Sequence, residues 1–204
     1  MSYNQKHTKI ISPEEGYNRI ATEYGKYHNH LDGFYEDIDL ARFVPKDPTA
    51  TFLDLGAGDG RIFKQLQNIP FSRYIACDIA KSLLQLHPNN AEKILCDLEE
   101  ELPFADEEID VITSFFVLEH IENIQDLFNE CYRILKPGGR WIIGHFIQRR
   151  EFLREKDAER FKIQQYNYRI EDLEKFADQA FFKFHKIDVI EKGNLLGWII
   201  LLDK

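Results

Sequence analysis

Leu53-Asp54-Leu55-Gly56-Ala57-Gly58-Asp59-Gly60-Arg61 decides the reading of this 204-residue chain. An apolar run, Thr51 to Leu55, gives way to three glycines at alternate positions, and a helical pattern follows from about Arg61 to Asn68. In open α/β sheets a turn of this kind lies at the carboxyl end of a strand, where ligands bind. Glycines let the backbone pass close to a bound molecule, and the helix that follows offers unpaired amides. A tight turn that holds nothing is the alternative reading of a glycine cluster taken alone.

Outward from this turn the chain alternates strand and helix. Strand patterns cover Arg73–Cys77, Lys93–Cys96, Ile109–Ser114 and Arg140–Phe146. Helical patterns cover Ser82–Leu86 and Ile124–Leu135, the second stopped by Pro137-Gly138-Gly139. Such alternation implies a parallel sheet with helices on both faces. A helix from Ile170 to Ala180 precedes two strand-like runs, Lys183–Ile190 and Leu195–Leu202, whose short Gly193-Asn194 link predicts an antiparallel hairpin. The mixed-charge segment Arg149–Lys162 reads as a helix with a solvated face.

At the other end, residues 1–11 read as a frayed tail. Ser12-Pro13-Glu14-Glu15 then opens a helix, with Ser12 as cap and Glu15 completing a capping box. Tyr17, Ile20 and Tyr24 share one face of it. A short helix is predicted from about Phe34 to Phe43, ended by Pro45 and Pro48.

With 44% hydrophobic residues the length suits one domain. A net charge of −9 disfavours a nucleic-acid partner, which needs a basic surface. No apolar run approaches the ~20 residues of a membrane span, and Met1 to Ile11 lacks the apolar core of a secretory signal, so no membrane insertion and a cytoplasmic location are expected. Cys77, Cys96 and Cys131 are odd in number and widely spaced, which predicts reduced buried thiols. His28 and His30 lack further spaced ligands, so no metal site is expected.

The glycine turn has a chemical bias. Arg61 stands where a dinucleotide turn wants its third glycine, and Asp54 and Asp59 place carboxylates where a pyrophosphate would be repelled. A cation tolerates those charges, and S-adenosylmethionine carries an ammonium and a sulfonium. Asp78 ends the second strand, 18 residues past Gly60, where an acidic side chain accepts hydrogen bonds from ribose hydroxyls or caps the next helix.

Leu53–Arg61, Cys77-Asp78-Ile79, Cys96-Asp97-Leu98 with Leu102-Pro103-Phe104, Asp110–Phe115 with Leu118–Ile121, and Leu135–Gly139 together resemble class I S-adenosylmethionine-dependent methyltransferases of the small-molecule group. The resemblance covers residues 50–146 densely and touches the pattern from Tyr17 to Tyr24. It implies an α/β, doubly wound, mainly parallel seven-stranded Rossmann-like sheet with an antiparallel C-terminal hairpin. Residues 1–48 would form an N-terminal helical lid segment on a cofactor-binding domain at 49–204. It further implies that the backbone around Gly56, Ala57, Gly58 and Gly60 cradles the methionine portion of S-adenosylmethionine. Asp78 would hold the ribose, Ile79 and Leu98 the adenine ring and Asp97 its amino group, with Phe115 lining the methyl-transfer side. Asp97 as a turn residue and Phe115 as a core aromatic stay open.

Methyl transfer from a sulfonium needs positioning more than acid–base help. If the acceptor must lose a proton, His145 at the end of the fifth strand and His120 after the fourth are the candidate bases; both also read as structural histidines. Tyr17 and Tyr24 either close over the cofactor or dock their helix on the core. The expected partner is a small-molecule methyl acceptor, with a non-catalytic assembly factor as the rival; oligomeric state is not fixed by the sequence.

Overall fold

The computed structural model describes residues 8–28, 38–147 and 153–204. In chain order the elements are β1 (Lys9–Ile11), α1 (Pro13–Ile20), α2 (Tyr24–His28), β2 (Thr51–Leu55), α3 (Arg61–Leu66), β3 (Arg73–Asp78), α4 (Lys81–Leu86) and β4 (Glu92–Leu95). There follow β5 (Ile109–Phe115), α5 (Ile124–Ile134), β6 (Leu135–Phe146), β7 (Leu153–Lys156), β8 (Glu159–Ile163), α6 (Ile170–Gln179), β9 (Lys183–Glu191) and β10 (Asn194–Asp203).

The main sheet has seven strands in the order β4-β3-β2-β5-β6-β10-β9. β2 pairs in parallel with both β3 and β5, so strand order reverses around it and a crevice opens at its carboxyl end. β10 runs antiparallel to β6 and to β9, which is the C-terminal hairpin the Gly193-Asn194 link predicts. Alternation along the strands feeds two cores. Leu53, Leu55, Trp141 and Ile143 face Phe128 of α5 and Leu173 of α6, while Phe52, Tyr74 and Ile142 face Phe63 of α3. Trp141 is fully buried and its indole N–H donates to Ser114 Oγ at 3.0 Å. Among the described residues no helix is long and apolar enough to cross a membrane.

Four expectations are corrected. The stretch from Leu153 to Ile163 is a β-hairpin, not a helix, and residues 149–152 lie outside the described residues. Asp157 and Ala158 turn it with φ of 51° and 63°, both left-handed, as a two-residue hairpin turn requires. Residues 9–11 are not tail: β1 pairs in parallel with β8, giving a small sheet β1-β8-β7. Cys77 and Cys96 are joined as a disulfide across β3 and the end of β4, and Cys131 alone is a free buried thiol. Of the helix expected at 34–43, residues 34–37 are outside the described residues and Leu40–Arg42 is a single 3₁₀ turn.

The small sheet packs with α1 and with Tyr24 of α2 as one segment, called the lid, which draws on residues 153–163 as well as on part of the expected 1–48. Ser12 caps α1 by accepting from the Glu15 N–H at 3.2 Å, while the Glu15 carboxylate pairs with Arg19 at 2.7 Å. Gly16 allows α1 to touch β8, because a Cβ there would overlap the Ile163 side chain. Burial of Ile11, Ile20, Phe161 and Ile163 holds the lid together. Each contributes about 1.5–3 kcal/mol. The partly exposed pairs Arg19–Glu159 and Lys156–Glu23 add little, because solvent screens them.

Candidate functional site

Three left-handed glycines shape the turn after β2: Gly56, Gly58 and Gly60 have φ of 69°, 54° and 83°. The turn is tied to the neighbouring strand. The Gly56 and Ala57 N–H groups both donate to the Cys77 carbonyl, at 2.8 and 3.0 Å, and the Gly58 N–H donates to Asp78 Oδ2 at 2.8 Å. Asp78 Oδ1 accepts from the Ala80 N–H at 2.7 Å. Burial pushes the Asp78 carboxyl up from its usual range, and the amides of Ala80 and Gly58 oppose that shift. Arg61 lies over the Tyr24 ring at 5.2 Å and pairs with Asp59 at 3.5 Å, joining the turn to α2.

A cavity of about 340 Å³ opens beside this turn. That is the scale of small-molecule sites. Its floor carries Gly56, Asp78, Ile79, Leu98 and Phe115, and Asp97 stands at its edge. Tyr17 and Tyr24 of the lid close it from the other side with Gln164 and Tyr166, which follow β8. Asp97 is exposed and its Oδ1 accepts from the Glu99 N–H at 3.0 Å, the local turn that was the alternative reading.

His120 lines the cavity and links lid to core. Its Nδ1 is 2.8 Å from the Gln164 carbonyl, which can only accept, so the proton sits on Nδ1. Nε2 is then left to accept from the Tyr17 hydroxyl at 2.7 Å. Burial drives the imidazole down to about 4, so it is neutral at pH 7 with both nitrogens engaged. Burial also pushes the neighbouring Glu119 carboxyl up to about 7.

Five of the expected residues lie off the cavity wall. Ala57, Gly58 and Gly60 form the outer part of the turn. Asp54 has the strand parity of Phe52, and its buried carboxylate accepts from Thr113 Oγ1 at 2.7 Å and from the Tyr74 hydroxyl at 3.0 Å. His145 has the parity of Trp141 and Ile143. Its Nε2 donates to the Tyr168 carbonyl at 3.0 Å, and its ring lies on Trp198 away from the cavity. Neither side chain lines this cavity.

Several wall residues carry no motif. Glu14, Glu99 and Glu122 bring carboxylates to the rim, and Glu122 accepts from the Tyr166 hydroxyl at 2.9 Å. Phe116 holds a left-handed φ of 59°, an outlier for a bulky residue, and stacks on Phe146 at 4.0 Å. The first group carries no signal because these exposed glutamates are brought to the cavity only by the tertiary packing around it. The Phe115-Phe116 pair was the available clue to the second.

Asp54 gives a pH test. Burial lifts its carboxyl to about 7, against the opposing hydroxyls of Thr113 and Tyr74. The folded protein therefore keeps a proton that the unfolded chain releases near pH ~4. Stability is greatest below that value, declines as pH rises to about 7 and is flat beyond. Asp54→Asn removes this decline. The variant should gain on wild type by about 3 kcal/mol between pH 5 and pH 8, from the roughly two pH units that remain below the folded value at ~1.4 kcal/mol each. Glu119 titrates in the same window in both proteins and cancels in the difference. Parallel urea-unfolding profiles across that range would contradict it.

Comparison with known proteins places this geometry. Residues 53–143 match a family model described as a methyltransferase domain. The chain is 35% identical over 139 residues to an uncharacterized protein of Methanocaldococcus jannaschii, covering 67% of this chain and 63% of that one, so it spans less than two thirds of that relative. It is 31% identical to the mitochondrial 2-methoxy-6-polyprenyl-1,4-benzoquinol methylase of Danio rerio, covering 95% of this chain and 68% of the relative. Among solved structures, an S-adenosylmethionine-dependent methyltransferase from Mesorhizobium loti shares the fold with a TM-score of 0.67 at 15% identity, over 85% of this chain and 100% of the other. By its matched domain, its similarity to the methylase and its sheet, the chain belongs to the class I S-adenosylmethionine-dependent methyltransferases.

Proposed function

We propose that the protein methylates a planar small molecule that is uncharged or cationic, seated between the Phe115–Phe116 wall and the tyrosines of the lid. The observation that carries this reading is the charge of the cavity. Glu14, Asp78, Asp97, Glu99 and Glu122 line it, and among the described wall residues there is no lysine or arginine. An anionic acceptor would meet like charges at close range, whereas a cation or a neutral ring would not. The name of the zebrafish relative, a benzoquinol methylase, supports an aromatic acceptor.

The residues present fit the cofactor. Gly56 leaves room beside the cavity, and Asp78, with one amide on each carboxylate oxygen, retains lone pairs for ribose hydroxyls. Ile79 and Leu98 offer apolar surface for adenine, and Asp97 an acceptor for its amino group. S-adenosylmethionine supplies a methyl group already activated on a sulfonium. The protein's own work is to hold the acceptor in line and to keep water out. Tyr17 and Tyr24 do this from the lid, and the Tyr17–His120 hydrogen bond latches it shut. His120 is a latch in this reading, not a base, because its lone pair is taken by Tyr17. The acceptor then gives any proton to solvent.

Calorimetry with S-adenosylmethionine and S-adenosylhomocysteine, followed by detection of adenosylhomocysteine formed from an acceptor panel, tests the proposal. Aromatic amines and quinols should turn over with kcat/KM about ten-fold or more above their carboxylate analogues, a difference of ~1.4 kcal/mol. Glu122→Gln keeps the Tyr166 hydrogen bond and should narrow that gap. A preference for carboxylates would overturn the acceptor assignment, and cofactor binding without turnover of any acceptor would favour an assembly role.

A further inference from the structure

We propose that Cys77 and Cys96 form a reversible dithiol–disulfide switch that sets the affinity for S-adenosylmethionine. The inference rests on the cofactor placement proposed above. Each sulfur is one residue upstream of an acid on the cavity edge: Cys77 precedes Asp78, and Cys96 precedes Asp97. The two strands are parallel neighbours with Asp78 opposite Leu95, and the Cys96 N–H donates to the Asp78 carbonyl at 3.2 Å. The Cα atoms are 5.9 Å apart, inside the range a disulfide spans.

The link adds a covalent tie to the β3–β4 ladder and the Cys96–Asp78 backbone hydrogen bond that already join the two halves of the site. The Cys77 carbonyl anchors the glycine turn through the amides of Gly56 and Ala57. Cys96 begins the Asp97-Leu98 segment, which follows the four-residue edge strand β4. That strand has a neighbour on one side only, and its Leu95 is 58% exposed. The adenine side of the site therefore hangs from a short edge. A covalent tie to β3 stiffens the separation of Asp78 and Asp97, and reduction leaves it to the ladder and one backbone hydrogen bond. Preorganisation of this kind raises affinity by lowering the ordering that binding requires.

The chemistry is ordinary thiol–disulfide exchange with a low-molecular-weight disulfide as oxidant. Cys96 is half-exposed and reacts first; Cys77 is fully buried. The Cys96 thiolate forms a bond to one sulfur of the oxidant, whose disulfide breaks and releases one thiol. The Cys77 sulfur then attacks Cys96, the mixed disulfide breaks, and the proton of Cys77 leaves with the second small thiol. Two protein thiols are oxidised and one small disulfide is reduced to two thiols. Small dithiols reverse the sequence.

The test uses full-length protein treated with excess dithiothreitol or with oxidised glutathione. Thiol titration and peptide mapping count the cross-link independently of any ligand, and calorimetry then gives the affinity for S-adenosylmethionine. Oxidation should remove two thiols per chain, map to Cys77 and Cys96, and tighten Kd by about five- to ten-fold. Cys96→Ser should bind as the reduced protein does under both treatments, and Cys131→Ala should switch as wild type does. Failure of the pair to oxidise, or equal Kd for both redox forms, overturns the switch while leaving the cofactor reading intact. If neither form binds the cofactor, both fall.

Discussion

Asp78→Ala is expected to weaken S-adenosylmethionine binding by about 100-fold or more while the protein stays folded. The carboxylate holds the Gly58 and Ala80 amides at 2.8 and 2.7 Å, so its loss releases the turn from β3 and removes the group proposed to take the ribose. An unsatisfied buried amide costs about 1–3 kcal/mol. Two such losses would endanger the fold were it not for an opposing term. Burial already disfavours the Asp78 charge, and alanine removes that charge. The net stability loss should therefore be smaller, about 1–2 kcal/mol in urea unfolding. In binding there is no such offset, because charge-assisted hydrogen bonds to the ligand are simply lost. Asp78→Asn separates the two roles. It keeps one acceptor oxygen but turns an amide toward a donor, so it should recover stability more than affinity. Calorimetry showing Kd within five-fold of wild type for Asp78→Ala would remove Asp78 from the site.

What the sequence discloses follows from which interactions are local. The β2 turn is legible because three glycines at alternate positions have one common use, and each takes a positive φ. The alternating strands and helices carry their periods within a few residues, so the sheet follows from them. The lid does not. Its hairpin turns on Asp157-Ala158, where the expected glycine is missing, and its flanks carry enough charge to imitate a solvated helix. β1 is three residues long and gains its identity from β8, some 150 positions away. The cysteine pair is hidden for a related reason: adjacency of β3 and β4 is a property of the sheet, not of a spacing of 19. In the site, strand ends locate the rim, but depth along the strand and parity together decide what reaches it. Asp78 and Phe115 reach the cavity, Asp54 shares their face but lies one pleat deeper, and His145 lies on the opposite face.

Gly56→Ala should be the most damaging single substitution in the turn, for two separable reasons. Gly56 has φ of 69°, and the left-handed conformation costs a residue with a Cβ about 1–2 kcal/mol. A Cβ there would also overlap the side chain of Val117, which lies on the wall of the same cavity. Overpacking of this kind costs about 1–3 kcal/mol, so the expected total is about 2–5 kcal/mol. Relief by movement is restricted. The Gly56 N–H is held by the Cys77 carbonyl at 2.8 Å, and Val117 is fixed by the turn that carries His120. Any shift of the turn also displaces the backbone proposed to pass beside the cofactor, so binding should fall below detection even where the protein remains folded. The double variant Gly56→Ala/Val117→Ala separates the terms. It removes the overlap and leaves the dihedral strain, so it should be more stable than the sum of its single variants by about 1–2 kcal/mol. Additive losses in urea unfolding would mean that Val117 does not press on the turn, and full cofactor affinity in Gly56→Ala would mean that the ligand does not lie against it.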